Sequence, residues 1–83
     1  MFYVYSIQSL VKNYIYVGLT DNVERRFSEH QAGKNKTTKP YRPFKLIFIE
    51  EYINRQEARE REKYLKSGVG KEFIKRFISK NFL

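Results

Sequence analysis

An arginine, a histidine and a glutamate stand where two amphipathic helices should present apolar side chains. In the run DNVERRFSEH, Val23 and Phe27 define an inward stripe at about 100° per residue. His30 falls within roughly 20° of Val23 and Arg26 within roughly 60°, so all four fit an arc of about 100°. Arg26 and His30 are also i and i+4, stacked neighbours on one surface. In the later run NRQEAREREKYLKS, Ala58 and Leu65 mark the inward stripe and Glu62 lies between them, whereas Glu57 and Glu60 point to solvent. Alternation puts Tyr3 and Tyr5 on one face of their strand, and Tyr14 and Tyr16 on one face of theirs.

These residue types fit one kind of chemistry. Phosphodiester hydrolysis needs a group that activates water and a cation that steadies charge on the phosphoryl oxygens. A metal held by a hard oxygen ligand usually helps both. Glu62 is the candidate ligand, and a lone carboxylate suits a mostly hydrated Mg²⁺ or Mn²⁺ better than a protein cage. Arg26 can hold a phosphate through two parallel hydrogen bonds and keeps its charge. Tyr16, Tyr5 or His30 can relay the proton if a neighbouring cation lowers a tyrosine pKa. Lys34, Lys36, Lys39 and Arg42 sit on a loop leaving the same helix, placed to hold a nucleic-acid backbone without reading its sequence.

Each residue also has a plainer reading. Arg26 and Glu62 could form a buried ion pair satisfied by tyrosine hydroxyls. Tyr5 and Tyr16 could be ordinary half-buried strand residues, Gly18 a turn residue, and His30 a histidine stabilised by a helix C-terminus. The loop lysines could simply be solvated. Buried ion pairs often add no net stability, however, and a small domain is a poor place to keep one for structure alone. The combination therefore points to a site.

The elements that must position these residues are legible in the pattern. FYVYSI, Phe2 to Ile7, and YIYVG, Tyr14 to Gly18, read as two strands close enough to form a hairpin. Asp21 with Glu24 is a capping-box pair, which predicts a helix over 22–32 with Gly33 as its C-terminal cap. GKNKTTKPYRP is a basic loop with two prolines, and FKLIFIEEY is a third strand. Asn54 with Glu57 predicts a second helix over 55–67. Gly68 and Gly70 break the chain before a closing amphipathic helix over 71–80, with Phe73, Ile74, Phe77 and Ile78 at helical spacing. The order β-β-α-β-α-α makes one small α/β domain spanning 1–83.

Bulk properties narrow the partners. Eighty-three residues carry 17 Lys and Arg against 9 Asp and Glu, a formal +8, which favours a polyanion such as nucleic acid. With no cysteine and one histidine, disulfides and closed structural zinc sites are excluded. No apolar run nears the roughly 18 residues of a membrane span and no signal-peptide pattern opens the chain, so a soluble cytoplasmic protein is expected.

The ordered set Tyr5, Tyr16, Gly18, Arg26, His30, Glu62 resembles the GIY-YIG nuclease superfamily over roughly the whole chain. Tyr3-Val4-Tyr5 stands for the first motif and Tyr16-Val17-Gly18 for the second. DNVERRFSEH and AREREKYLKSG look most like small stand-alone bacterial members related to the nuclease domain of the excision-repair incision subunit. The resemblance implies a central three-stranded antiparallel sheet flanked by helices, and metal-dependent cleavage of DNA, branched or damaged, with no small-molecule cofactor. It also implies a tyrosine near the attacking water, Arg26 on the phosphate and Glu62 on the metal. There are departures: Tyr3 replaces a glycine, Leu19 stands where the excision-repair relatives carry lysine, and the usual late asparagine has no clear counterpart besides Asn81. A non-catalytic nucleic-acid-binding module is the main alternative, and a protein-docking tyrosine face a third.

Overall fold

Aromatic and β-branched residues dominate the first two extended runs, and both form strands. The computed structural model describes residues 1–82 as β1 (Phe2–Ser9), β2 (Ile15–Thr20), α1 (Val23–Ala32), β3 (Phe44–Tyr52), α2 (Arg55–Lys66) and α3 (Gly68–Phe82). A 3-10 turn at Lys39–Tyr41 interrupts the basic loop before β3. The sheet is antiparallel in the order β2-β1-β3, so β1 is central. No helix among the described residues is long and apolar enough to cross a membrane.

The strand faces alternate as a pleat requires, and each face packs against different helices. Val4 and Val17 meet Ala58, Leu65 and Ile74 of α2 and α3. Tyr5 and Ile7 face the other way, with Phe44, Tyr16, Val23 and Phe27 on the α1 side. The pairing of β1 with β3 slips between Ser6 and Ile7: Ser6 lies opposite Phe48, but Ile7 opposite Leu46. This β-bulge sends Phe44 and Leu46 into the α1-side core, and Phe48 and Tyr52 into the other.

The helix ends depart in part from expectation. Asn22, not Asp21, caps α1, its side chain accepting the Arg25 N–H at 3.0 Å. Thr20 Oγ1 accepts the Asn22 N–H at 3.1 Å and seats that residue at the cap. Asp21 is left outside the helix and bonds the Arg25 side chain at 3.1 Å. Asn54 caps α2 as its spacing predicts, and Gly33 closes α1 at φ 78°, a conformation costly for residues with a side chain.

The third helix starts at Gly68, not Lys71. Ser67 Oγ accepts the Gly70 N–H at 3.2 Å, so the two glycines lie in the first turn of α3 instead of a break before it. Gly70 is buried there, and a Cβ on it would collide with the Tyr64 carbonyl and the Leu65 backbone. That glycine lets α3 abut the end of α2. Gly70→Ala should therefore lower stability by about 1–3 kcal/mol, the cost of overpacking against backbone. Urea unfolding followed by circular dichroism measures it; an unchanged midpoint would show that the corner has slack.

Candidate active site

Gly18 faces Tyr5 across the β1–β2 pairing. A Cβ at Gly18 would overlap the Tyr5 ring and hydroxyl, so the phenol lies across bare backbone. In that position its hydroxyl is 2.8 Å from Nε2 of His30 on α1. His30 is 0% exposed, and its Nδ1 is 2.8 Å from Thr38 Oγ1. The ring of Tyr16 lies 5.0 Å from the imidazole, and Phe44 closes the far side edge-on at 6.0 Å.

Burial decides the protonation states. It pushes the Tyr5 phenol up to about 12, helped by Tyr16 and Glu62, while the Arg26 guanidinium pulls the other way. The expectation that a cation would lower a tyrosine pKa therefore fails at Tyr5, where desolvation outweighs Arg26. The same burial lowers the His30 pKa, reinforced by Arg26 and opposed by Glu29. Both groups are thus neutral at pH 7.

Arg26 keeps its charge firmly, secured first by Glu29 at 3.0 Å and also by the neighbouring Tyr5 hydroxyl. It lines a polar cleft with Arg25, Arg55, Glu29 and Asp21. Glu62 approaches from α2, which packs on the other face of the sheet. It is nonetheless near enough for its charge to be felt at the Tyr5 hydroxyl. Its side chain is 13% exposed and paired with Lys66 at 3.2 Å and Arg59 at 3.9 Å. Lys66 and Lys71 line a second cleft with Tyr14 and Tyr16 along β2, an edge strand.

The structure thus gathers Tyr5, Tyr16, Arg26 and His30 around the Tyr5 hydroxyl, and Glu62 joins them from α2 through Lys66, whose ammonium lies 6.0 Å from the Tyr16 ring. On the basic loop, Lys34, Lys36 and Lys39 are exposed. Arg42 is exposed too, but donates to the Ala32 carbonyl at 3.0 Å and so also closes the end of α1. Leu19 packs into the core under α2 and α3, away from the tyrosines. Asn81 donates to the Phe77 carbonyl at 2.8 Å on the surface of α3.

Sequence reasoning passed over two residues. Lys66 carries a readable signal: it lies four residues after Glu62 on the same helix, one turn away. Thr38 carries none, because a threonine in a lysine-rich loop gives no sign of burial.

A divalent cation is what the donor set can be asked to hold. No three His, Cys, Asp or Glu cluster among the described residues, so a protein cage is ruled out there. Glu62 alone, sheltered but reachable, fits a hydrated ion that completes its shell with water and substrate oxygens. The ion would have to displace Lys66.

His30 yields a pH signature. The unfolded chain takes up a proton here near pH 6.5 or so, while the folded chain does so only at lower pH. Between the two the unfolded state binds more protons, so stability should fall as pH drops below about 6.5. His30→Gln should lose that part of the slope. Equal losses of urea midpoint between pH 7 and pH 5 in both proteins would refute it.

The family described as GIY-YIG catalytic domain matches residues 1–75. A UPF0213 protein of Staphylococcus haemolyticus is 41% identical over 66 residues, covering 78% of this chain and 79% of its own. A UPF0213 protein of Clostridium perfringens is 33% identical over 82 residues, covering 98% and 87%. One from Oceanobacillus iheyensis is 34% identical over 65 residues, covering 77% and 74%. Their names state no activity, and no solved structure matches the chain. With the family match running through every strand and both site helices, the chain belongs to the GIY-YIG family of nuclease domains.

Proposed function

We propose that this protein is a divalent-metal-dependent endonuclease that hydrolyses phosphodiester bonds in DNA. One arrangement carries the reading: Arg26 of α1 lies beside the Tyr5 hydroxyl, and Glu62 of α2, on the other face of the sheet, is paired at 3.2 Å with Lys66, whose ammonium lies 6.0 Å from the Tyr16 ring. A phosphate beside Tyr16 would have a cation and a metal-binding carboxylate at hand.

The roles follow from exposure. Arg26 is partly exposed and binds a non-bridging phosphoryl oxygen, drawn away from Glu29 by the stronger phosphate partner. Glu62 holds Mg²⁺ or Mn²⁺, which when bound would offset negative charge on the phosphate and make water easier to deprotonate. Tyr16, half-buried at the rim, orients the attacking water. Tyr5 is 1% exposed and His30 wholly enclosed, so these two act behind the contact surface as positioning residues for Arg26 and Tyr16. Water loses a proton to solvent as its oxygen bonds to phosphorus, the opposite P–O bond breaks, and the departing alkoxide takes a proton from solvent.

Lys34, Lys36 and Lys39, exposed on the loop that leaves α1, hold the backbone without reading bases. Selectivity then comes from DNA shape, as at a branch or a damaged site.

Supercoiled plasmid should be nicked in Mn²⁺ or Mg²⁺ and left intact in chelator. Glu62→Ala and Arg26→Ala should each reduce the rate at least about a hundredfold, as loss of a charge-stabilising group does, with unchanged circular dichroism. Cleavage at the wild-type rate by either folded variant would reject its role. Salt-sensitive DNA binding without turnover in either metal would make the protein a binding module instead.

A further inference from the structure

Thr38 is 0% exposed although it belongs to the basic loop between α1 and β3. The loop is folded around Asn35. Its Oδ1 accepts the Thr37 N–H at 2.9 Å and the Thr38 N–H at 3.3 Å, and its carbonyl accepts the Lys39 N–H at 2.9 Å. This seats Thr38 Oγ1 2.8 Å from His30 Nδ1 and 3.5 Å from the Asn35 carbonyl oxygen. Beyond His30 come the Tyr5 hydroxyl at 2.8 Å and then the Arg26 guanidinium beside it.

The two ends of this row favour one direction for the bonds in it. A backbone carbonyl can only accept, and a guanidinium can only donate. A neutral imidazole donates from one nitrogen and accepts at the other. Only one order of protons then satisfies all members. Arg26 donates to the Tyr5 oxygen, Tyr5 O–H to His30 Nε2, His30 Nδ1–H to Thr38 Oγ1, and Thr38 O–H to the Asn35 carbonyl. The reverse order would turn the Tyr5 proton away from His30 and toward the guanidinium, donor against donor.

We propose that Thr38 is a positioning residue of the site. By accepting from Nδ1–H it holds His30 in the tautomer whose Nε2 receives the Tyr5 hydroxyl, which leaves the Tyr5 oxygen free to orient Arg26. Its bearing on cleavage rests on the nuclease reading above; the hydrogen-bond order does not. The loop that carries Lys34, Lys36 and Lys39 is thereby mechanically joined to the arginine that meets the phosphate.

The chain has one histidine, so the imidazole ¹⁵N spectrum of labelled protein reports this ring alone. In the wild type at pH 7.5 or so the proton should reside on Nδ1, with Nε2 unprotonated. Thr38→Val keeps the shape and removes the acceptor, and should shift the ring wholly or partly to the Nε2–H form. Thr38→Ser should restore the wild-type spectrum. In the plasmid assay Thr38→Val should lower kcat about tenfold, as loss of an outer partner does, with KM for DNA within about twofold; Thr38→Ser should recover the rate. A proton on Nε2 in the wild type would overturn the proposal without any variant. So would a Thr38→Val spectrum identical to wild type, or an unchanged kcat beside a shifted ring. If Thr38→Val does not fold, the wild-type and Thr38→Ser spectra decide. A wild type that never nicks DNA would sink the nuclease reading while the spectra still judge the hydrogen-bond order.

Discussion

The 2.8 Å bond between the Tyr5 hydroxyl and His30 is the contact on which the rest of the arrangement depends. Neither partner has water to fall back on, and a polar group left unpaired in a dry interior costs roughly 1–3 kcal/mol. Each therefore dictates where the other must be. Tyr5 can reach His30 only because Gly18 opposite it has no side chain. The other nitrogen of His30 is occupied by Thr38 at 2.8 Å. A strand pair, a helix and a loop are brought to one point by a requirement that none of them could meet alone.

The sheet divides labour between its faces. On the side of α2 and α3, Val4, Val17, Leu65 and Ile74 make an ordinary apolar core. On the α1 side, tyrosines and a histidine fill much of the space that aliphatic residues would otherwise occupy. In a domain this small, apolar burial on one face must carry most of the stability so that the other can hold polar groups. The β-bulge at Ser6/Ile7 is what allows β3 to serve both, since a straight strand would send Phe44, Leu46 and Phe48 to one side. Glu62 is the exception to this division, a charged residue on α2 whose partner Lys66 lies 6.0 Å from the Tyr16 ring of the edge strand.

Much of this was legible in the residues themselves. Strand and helix periods placed every main element, and Asn54 and Gly33 marked their helix ends correctly. Helical arithmetic turned His30 and Glu62 inward, and both are sheltered. The failures were local. Asn22 and Asp21 are both good cap residues, and the choice between them was made by Thr20, through a bond that spacing alone does not reveal. Gly68 and Gly70 looked like helix breakers because glycine weakens an isolated helix; here close approach to α2 overrode propensity. The bulge and the burial of Thr38 depend on pairings between distant segments, and no local pattern encodes them. Tyr5 was the most instructive case: a nearby arginine is easy to infer, whereas the dryness that outweighs it becomes visible only in three dimensions.

The central strand precedes both of its neighbours in the chain. Its partner β2 follows after a tight connection, but β3 begins only at Phe44, opposite Ser9, so that side of β1 stays bare until a loop of about thirty-five residues has closed. Closing such a loop is entropically slow compared with forming the hairpin. During synthesis, then, the early hairpin waits with an open, aromatic-rich edge of the kind that invites pairing with another chain. Lys12 in the hairpin connection and Arg25 just beyond it in sequence are both exposed, and like charges of this kind oppose such pairing.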